Sequence, residues 1–508
     1  MIPTLSNYQG KPILLVDGKP MLLFSGEAHN SSASSLSYME EEVWPNVRSL
    51  NLNSLIVPVS WEFLEPQPGD YDFTLPDGLI AQARREGVKL VFLWFGLWKN
   101  GGSTYVPAWM KQDRDTYFLM RTRNGRAVNA ISPLCQAGVD RDAAAFRALL
   151  GHLRDTDTEH TVVMVQVENE MGLLGDCRDF GPEAEAAYAW EIPQEMADLY
   201  QVSGTWAEAF GEDAPERFMV YYYAKAVEKI AAAGKAEYPL PLYVNAWLEQ
   251  YPWTPGTYPC GGPIAKVMDQ WKALAPSIDL FAPDIYLPDF VSVCKEYSQY
   301  DNPLFIPEAR PSMDSASNVF AAFGQLGALG FSPFAIESVG KNEKANIPAG
   351  LMEELNIMVE AFDHYRAGEY LGESYGLLQS IEPLLLEYRL TPSLQGFTRN
   401  QRETGTLLSF DRYNFEVKYQ ASRGESPKAG GLVLQLSQDE FLLCGMNYSV
   451  KPLVKGDDPG WVDVVSITEG RYENGEWIPG RRLNGDEFRC QLGAHPQMLR
   501  LVLSHRSR

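Results

Sequence analysis

The chain has 508 residues, of which 45% are hydrophobic and 12% aromatic, a composition that excludes a disordered protein. Its length is sufficient for two or three folded units. The 43 basic and 66 acidic residues give a net charge of −23, which argues against a nucleic-acid partner because phosphate binding needs clustered Lys and Arg. A neutral substrate is compatible with this charge, which also simply favours solubility.

Targeting and metal-binding patterns are not apparent in the sequence. Residues 1–10 lack the basic and apolar regions of a signal peptide, and no stretch reaches the ~20 apolar residues of a membrane span. We therefore expect a cytoplasmic protein with no membrane partner, although a secreted form trimmed of its signal would have the same sequence. The six cysteines and six histidines lack the spacing of a disulfide framework or a zinc site, which predicts free thiols, no metal and no cofactor.

Short apolar runs alternate with helical patterns through the first two thirds of the chain. An Asp17-Gly18 pair inside Pro12–Phe24 predicts a β-hairpin, whose second run is the first strand of the series. The seven further predicted strands are Asn53–Val59, Lys89–Phe95, Thr161–Val167, Leu240–Val244, Ile278–Ala282, Pro303–Ile306 and Phe331–Ile336. The predicted helices are Tyr38–Leu50, Leu79–Gly87, Arg141–Arg154, Phe218–Gly234, Ser317–Leu329 and Leu351–Tyr365. Eight strands alternating with helices over about 340 residues predict an α/β fold, a (β/α)8 TIM barrel.

A different pattern follows the barrel. From Tyr370 onward, short β-like runs alternate with Gly, Asn, Asp and Pro turns, which predicts a smaller all-β C-terminal domain packed on the barrel. The predicted boundaries are residues 1–369 for the barrel with its hairpin and 370–508 for a β-sandwich-like domain. Whether the aromatic-rich segment Leu173–Pro215 covers the site is left open by the sequence.

Carboxylates follow several of the predicted strands, where the active sites of TIM barrels lie. The strand-end acids are Glu27, Glu62, Glu170, Asp284, Glu308 and Glu337. Glycoside hydrolysis uses two carboxyl groups, and strands four and seven face each other across a barrel mouth, so Glu170 and Glu308 are positioned to reach one ligand. The alternative for Glu168 and Glu170 is that they cap the following helix, since acids favour a helix N-terminus.

Several motifs, in order along the chain, resemble those of known glycosidases. Asn169-Glu170 and Glu308 are similar to the acid/base and nucleophile signatures of clan A retaining glycosidases. The strings that resemble glycoside hydrolase family 35, the β-galactosidases, are Val165-Gln166-Val167-Glu168-Asn169-Glu170-Met171-Gly172, Asp17-Gly18-Lys19-Pro20, Ser25-Gly26-Glu27-Ala28-His29 and Trp61-Glu62-Phe63-Leu64-Glu65-Pro66, with Gly69 and Tyr71-Asp72-Phe73. The tail Arg481-Arg482-Leu483-Asn484-Gly485-Asp486-Glu487 resembles the β domain of a bacterial subgroup near families 35 and 42.

The resemblance implies a retaining, exo-acting β-galactosidase that needs no cofactor, with a carbohydrate as its substrate. Glu308 would be the nucleophile, held ionised by Arg310 or Tyr286, and Glu170 the acid/base with a raised pKa. Asn169 would bind the sugar 2-hydroxyl. The two carboxyl groups should then lie about 5 to 5.5 Å apart, whereas roughly 9 Å would indicate inversion. An assembly of identical chains is a further expectation.

Other strand-end residues are candidates for substrate binding. Aromatic rings can stack on a sugar face, and carboxylates and amides can bind hydroxyls, although strand-end aromatics are also common in protein cores. The candidates are Trp61, Trp98, Trp247, Tyr286, Glu62, Glu337, Asn100 and Asn245. The family has Trp-Asn where this chain has Trp61-Glu62, and a sugar-binding Glu where this chain has Trp98-Lys99-Asn100, so galactose contacts do not transfer directly. Two alternatives stay open: another sugar specificity (β-glucosidase, β-glucosaminidase, α-arabinosidase or β-fucosidase-like), and a non-catalytic carbohydrate-binding protein.

Overall fold

A small antiparallel sheet opens the chain in the computed structural model, which describes residues 1–341, 363–421, 426–456 and 460–506. Its strands are β1 (Thr4–Tyr8), β2 (Lys11–Val16) and β3 (Lys19–Met21). Val16 pairs with Lys19 across a two-residue turn in which Asp17 has φ 51° and Gly18 has φ 77°. Positive φ at both central residues is the geometry that Asp-Gly favours in a tight hairpin, so the predicted hairpin is confirmed.

The next ten strands contain the barrel. They are β4 (Leu23–Phe24), β5 (Ser54–Ser60), β6 (Lys89–Lys99), β7 (Leu119–Arg121), β8 (Ala127–Ile131), β9 (Val162–Asn169), β10 (Leu242–Trp247), β11 (Leu280–Ile285), β12 (Ile306–Ala309) and β13 (Gly330–Pro333). β7 and β8 pair with each other, and the other eight form one sheet in the order β4-β13-β12-β11-β10-β9-β6-β5. The Ile56 amide donates to the Gly26 carbonyl at 2.8 Å and the Ala28 amide to Ile56 at 3.0 Å, which joins the two ends of the sheet. The predicted TIM barrel is confirmed.

Helices follow most of the barrel strands. They are α1 (Leu36–Tyr38), α2 (Trp44–Ser49), α3 (Trp61–Leu64), α4 (Thr74–Glu86), α5 (Ala108–Gln112), α6 (Gln136–Thr156), α7 (Pro182–Ala189), α8 (Gln194–Tyr200), α9 (Trp206–Phe210), α10 (Ala214–Glu237), α11 (Met268–Leu274), α12 (Phe290–Glu296), α13 (Met313–Gly324) and α14 (Ile336–Gly340). The helix predicted over Leu351–Tyr365 lies almost wholly outside the described residues. Within the described ranges, no helix is both long and apolar enough to span a membrane.

The segment between β9 and α10 packs on the outside of the barrel. The Trp206 ring contacts the Phe218 and Tyr221 rings of α10, and the Tyr188 ring also contacts Phe218. The aromatic residues that marked Leu173–Pro215 in the sequence therefore anchor α7 to α9 against an outer helix.

The C-terminal part begins with helices. The β pattern was predicted from Tyr370, but α15 (Ala367–Ser380) and α16 (Glu382–Tyr388) precede the first strand, because their turn-like Gly and Pro residues lie within and at the start of helices. The strands are β14 (Leu394–Thr398), β15 (Gly405–Ser409), β16 (Tyr413–Tyr419), β17 (Gly430–Ser437), β18 (Glu440–Met446), β19 (Tyr448–Val454), β20 (Trp461–Glu473), β21 (Glu476–Arg482), β22 (Gln491–Leu492) and β23 (Gln497–Arg506). They form a six-stranded and a four-stranded sheet around a second core, which confirms an all-β unit after the barrel. The boundary at 369/370 stays a prediction, and it falls inside α15.

Helix α13, which follows β12, carries the contact between the two units. A Cβ on Gly396 of β14 would lie 2.5 Å from the Phe320 carbonyl oxygen, and one on Gly430 of β17 would lie 2.6 Å from that of Ser317. The Ser317 hydroxyl donates to the Lys428 carbonyl at 2.6 Å. Backbones that approach this closely leave no room for side chains, so the β domain is fixed against the helix next to β12.

We expect Gly396→Ala to destabilise the protein by about 1–3 kcal/mol, because the added methyl group meets backbone atoms that cannot move aside. Differential scanning calorimetry should show a lower Tm. Gly151→Ala is the matched control, since its Cβ would have no atom closer than 3.9 Å and helix α6 should gain stability from alanine. An unchanged Tm for Gly396→Ala would contradict the tight interface.

Candidate active site

Four acidic side chains meet at the carboxyl ends of the barrel strands. Glu27 follows β4, Glu170 follows β9, Asp284 lies in β11 and Glu308 lies in β12. One carboxyl oxygen each of Glu170, Asp284 and Glu308 lies within 4.8 Å of the other two. All four residues are buried, none being more than 5% exposed. The structure thus brings the predicted pair Glu170 and Glu308 together, with two further acids that the predicted site did not include.

The backbone at the end of β9 is held in an unusual conformation. Glu168 has φ 64° and Glu170 has φ 45°, in the left-handed region that side chains larger than glycine rarely adopt. Each such residue costs about 1–3 kcal/mol and persists only where surrounding contacts impose it. One such contact is the hydrogen bond that the Glu170 amide donates to Asn245 Oδ1 at 2.8 Å.

Asparagine side chains connect the acids. Asn245 Nδ2 donates to Asp284 Oδ2 at 2.7 Å and to Asn169 Oδ1 at 3.2 Å. Asn169 Nδ2 donates in turn to Asn100 Oδ1 at 3.0 Å and to Glu170 Oε2 at 3.4 Å. The predicted residues Asn100, Asn169 and Asn245 therefore form one network that orients two of the carboxyl groups.

Burial and mutual repulsion keep protons on this cluster. Burial, followed by the charge of Glu308, raises the pKa of Glu170 to about 7, against the opposing effect of Lys99 and hydrogen bonds from Asp284 and Asn169. Burial and the charges of Glu308 and Glu170 hold the pKa of Asp284 well above its usual range. Burial, followed by the charge of Glu308, does the same to the pKa of Glu27. Near neutral pH, Glu170 can therefore both donate and accept a proton.

Glu308 differs from its neighbours because burial alone raises its pKa, without a further rise from the charges of the other acids. Burial raises its pKa, while the charge of Lys99 and the hydrogen bond that the Tyr286 hydroxyl donates to Oε1 oppose that rise. Of the two partners expected from the sequence, Tyr286 makes the contact. Arg310 instead lies 3.8 Å from Asp314. Among the described residues, no group donates to Glu308 Oε2, which leaves this buried oxygen available to a ligand.

Lys99 supplies positive charge to the cluster. Its charge lowers the pKa of Glu27, Glu170 and Glu308 together. Its Nζ donates to Asn100 Oδ1 at 2.7 Å and lies 5.4 Å from the centre of the Phe95 ring. The sequence placed the end of this strand at Phe95, but β6 continues to Lys99 and carries the lysine to the site. Three carboxylates this close also have the chemistry to hold a divalent cation.

Two predicted tryptophans lie in the core instead of the site. Trp61 is 0% exposed, and its indole N–H donates to Glu65 Oε2 at 2.7 Å. Trp98 is 1% exposed and donates to the Ile131 carbonyl at 2.8 Å. Both rings pack against other aromatic rings, so neither offers a face to a sugar, and their assignment as stacking residues is wrong. Trp247 ends β10 opposite Asp284 and remains a candidate.

Two predicted carboxylates have structural partners. Glu62 forms an ion pair with Lys111 at 3.0 Å, with both side chains partly exposed. Glu337 accepts hydrogen bonds from the His29 amide at 3.2 Å and from the Ser32 hydroxyl, so it holds the loop that follows β4. Their expected contacts with sugar hydroxyls would compete with these bonds.

A second buried acid pair lies behind the site. Glu168 accepts from the Leu97 and Trp98 amides at 3.0 and 2.6 Å and shares a hydrogen bond with Asp142 of α6. Burial raises the pKa of Asp142 to about 6 and that of Glu168 well above its usual range. The helix-cap alternative for Glu168 and Glu170 is wrong, because residues 171–181 contain no helix.

Together, the fold and the site define a (β/α)8 barrel with a buried carboxyl cluster at the carboxyl ends of its strands. Residues 13–240 match the model of the glycosyl hydrolases of family 35, and residues 371–494 match a domain of unknown function, DUF5597. The resemblance seen in the motifs is therefore confirmed, and residues 13–240 of the barrel are similar to family 35.

Two curated proteins are similar to parts of the chain. A β-galactosidase from Xanthomonas manihotis is 28% identical over 179 residues, 34% of this chain and 27% of that protein. β-Galactosidase 14 from Arabidopsis thaliana is 30% identical over 122 residues, 22% of this chain and 12% of that protein. The matches thus span about a quarter or less of each relative.

Among solved structures, the β-galactosidase from Rahnella sp. R3 is similar with a TM-score of 0.48 and 16% identity, over 72% of this chain and 57% of that chain. The barrel assignment itself rests on the strand order and the hydrogen bonds that close the sheet.

The raised pKa of Glu170 predicts how stability changes with pH. A carboxyl group that titrates at about 7 when folded and near ~4.3 when unfolded stabilises the native state at low pH and loses that contribution as the pH rises to 7. Glu170→Gln cannot ionise, so between pH 5 and pH 8 it should lose less stability than the wild type, by up to about 3 kcal/mol. Tm values at both pH values measure the difference. The control is Glu416→Gln, at a partly exposed carboxylate that pairs with Lys418 in the β domain. It should follow the wild type, and parallel curves for all three proteins would contradict the titration.

Proposed function

We propose that this protein is a retaining, exo-acting β-glycosidase that cleaves terminal β-galactosides. The observation that carries the proposal is that Glu170 and Glu308 have carboxyl oxygens within 4.8 Å of each other in a buried barrel mouth. Retaining glycosidases have their two carboxyl groups about 5–5.5 Å apart, whereas inverting enzymes need about 6.5–9.5 Å to admit a water molecule. The match to family 35 over residues 13–240 supports the same reaction class.

In the first step, a Glu308 oxygen forms a bond to the anomeric carbon while the glycosidic C–O bond breaks. The proton on Glu170 passes to the departing oxygen, so the aglycone leaves as a neutral alcohol. Glu308 suits attack because Tyr286 and Lys99 favour its carboxylate. Glu170 suits donation because its pKa of about 7 keeps a proton available near neutral pH.

In the second step, ionised Glu170 removes a proton from water, and the resulting oxygen displaces Glu308 from the anomeric carbon. Once Glu308 is esterified, its negative charge no longer raises the pKa of Glu170, which favours the basic form at the moment when a base is needed. The two steps invert the anomeric carbon twice and release a sugar of unchanged configuration.

Polar groups around the pair have the chemistry to hold one sugar. Asn169 is hydrogen-bonded to Glu170, where a 2-hydroxyl contact would strengthen in the oxocarbenium-like transition state. Within the described chain, neither oxygen of Glu27 has a hydrogen-bond partner, and a buried acceptor of this kind would gain one from a sugar hydroxyl. The burial of all these groups favours a terminal sugar over the middle of a chain, which supports exo action.

The galactose preference has a separate basis from the reaction class. It draws on the two relatives, both named β-galactosidases. Another sugar specificity on the same carboxyl pair is the alternative that Lys99 and Asn100 favour, because these residues stand where the family has a sugar-binding Glu.

We expect Glu308→Gln to lower kcat on 4-nitrophenyl β-galactoside by at least about 10³-fold, since the amide cannot form the glycosyl ester.

Glu170→Ala should retain more activity on 2,4-dinitrophenyl β-galactoside than on 4-nitrophenyl β-galactoside, because the dinitrophenolate leaving group needs no proton. Azide should then accelerate Glu170→Ala and yield β-galactosyl azide. The control Glu237→Gln, at the end of outer helix α10, should behave as the wild type. Comparable kcat values for Glu308→Gln and the wild type would rule out the assigned nucleophile.

Proton magnetic resonance on a panel of nitrophenyl glycosides tests the stereochemistry and the sugar together. The first sugar signal should be the β anomer of galactose, followed by slow mutarotation. An α anomer as the first product would show inversion. Faster hydrolysis of another glycoside in the panel would reassign the sugar, and no hydrolysis of any glycoside would favour the carbohydrate-binding alternative.

A further inference from the structure

A polar cleft lies between the barrel and the β domain. Its two adjoining cavities have volumes of about 340 and 190 Å³. Pro288 and Asp289 line it from the barrel, in the loop after β11, and Arg399, Asn400 and Lys428 line it from the β domain. Ligand sites commonly lie at such junctions between domains and have volumes of this order.

Lys428 is a half-buried cation in this cleft, and it lines both cavities. Among the described residues, its Nζ has neither an ion-pair nor a hydrogen-bond partner. Burial lowers its pKa, which means that the ammonium group is poorly solvated where it stands. Its main chain is fixed by the hydrogen bond from Ser317, so the side chain cannot leave the cleft by a small backbone shift.

Three acidic groups near Lys428, namely Asp289, Glu403 and Asp314, oppose the fall in its pKa by their charge, and each also has another partner. Asp289 accepts from Asn400 Nδ2 at 3.3 Å, and Glu403 accepts from the Asn400 amide at 3.1 Å. Asp314 lies 3.8 Å from the Arg310 guanidinium. Two further cations, Lys295 and Arg399, line the cleft. Within the described residues, Arg399 donates to the main-chain carbonyls of Glu403 and Gln420 and to no carboxylate. The cleft therefore presents three cations, Lys295, Arg399 and Lys428, beside three acids, in a chain whose net charge is −23.

The cleft begins where the catalytic strands end. Pro288 is two residues beyond Tyr286, whose hydroxyl donates to Glu308. Asp314, which lines the smaller cavity, pairs with Arg310, two residues beyond Glu308. A saccharide whose terminal sugar occupies the buried carboxyl cluster would thus have its next units near this cleft.

We infer that the cleft binds a carboxylate-bearing sugar unit, a uronic acid, in the part of the substrate beyond the terminal sugar, with Lys428 as the principal contact. The inference rests on the proposed function for this placement along the substrate. The binding itself requires only the cleft. A carboxylate would supply the charged partner that Lys428 lacks, and Asn400 and Arg399 offer further polar contacts to sugar hydroxyls.

Isothermal titration calorimetry of the full chain with trigalacturonate tests the inference. Fully methyl-esterified trigalacturonate is the matched neutral ligand, since each carboxylate is replaced by an uncharged methyl ester on the same sugar chain. The wild type should bind the acid form at least tenfold more tightly than the ester, and Lys428→Gln should lose about tenfold in affinity for the acid form. Lys428→Arg, which keeps the charge, should retain most of it.

Lys418→Gln is the control for general attraction, because it removes one exposed positive charge from the same domain. It should bind trigalacturonate as the wild type does, and the Tm of each variant confirms that it is folded. Equal binding of acid and ester, or equal affinities of Lys428→Arg and Lys428→Gln, would overturn the inference. Hydrolysis of 4-nitrophenyl β-galactoside by the wild type, measured in parallel, reports on the proposed function alone, so the two failures are distinguishable.

Discussion

The mutual repulsion of acids in the barrel mouth is the constraint on which the site depends. Glu27, Glu170, Asp284 and Glu308 are all buried, and the charge of Lys99 opposes the rise in pKa of several of them. A buried charge without a partner is costly, so the cluster is stable only with protons on some members. The same repulsion that costs stability produces a carboxyl group that titrates near neutral pH. Stability and reactivity at this site therefore have one physical origin.

The surrounding barrel supplies the hydrogen bonds that hold the acids in position. Asn245 fixes both the main chain of Glu170 and the side chain of Asp284, and the left-handed backbone at Glu170 is held in place by such bonds. Behind them, the carboxyl groups of Glu168 and Asp142 accept hydrogen bonds from the Leu97 and Trp98 amides, near the end of the strand that carries Lys99. The lysine and the acids are thus held by one continuous set of buried polar contacts.

Much of this arrangement could be predicted from the sequence. Buried parallel strands appear in the sequence as short runs of branched apolar residues. The carboxyl groups at the ends of these runs identified the pair Glu170 and Glu308. The prediction failed where the position of a residue along a strand does not reveal which way its side chain points. Trp61 and Trp98 lie near strand ends, as sugar-stacking residues do, but their rings face the core. Asp142 contacts Glu168 from a helix, and no local sequence pattern predicted that contact. The predicted strand β6 ended at Phe95, immediately before Gly96. In the structure the strand continues through Gly96, and the absence of a side chain there leaves room for the Asp142 and Glu168 carboxyl groups.

The contact of glycine backbones with α13 has a consequence for how such proteins diversify. Strands β14 and β17 lie directly on helix α13, which follows the strand that carries Glu308. The domain matched by DUF5597 is therefore packed next to that strand and its helix. It cannot be exchanged like a tethered binding module without exposing the helix and removing one side of the cleft. Under the proposed function, a change in the substrate units beyond the terminal sugar is therefore expected to arise by substitutions within this domain, while the domain and the barrel are inherited together.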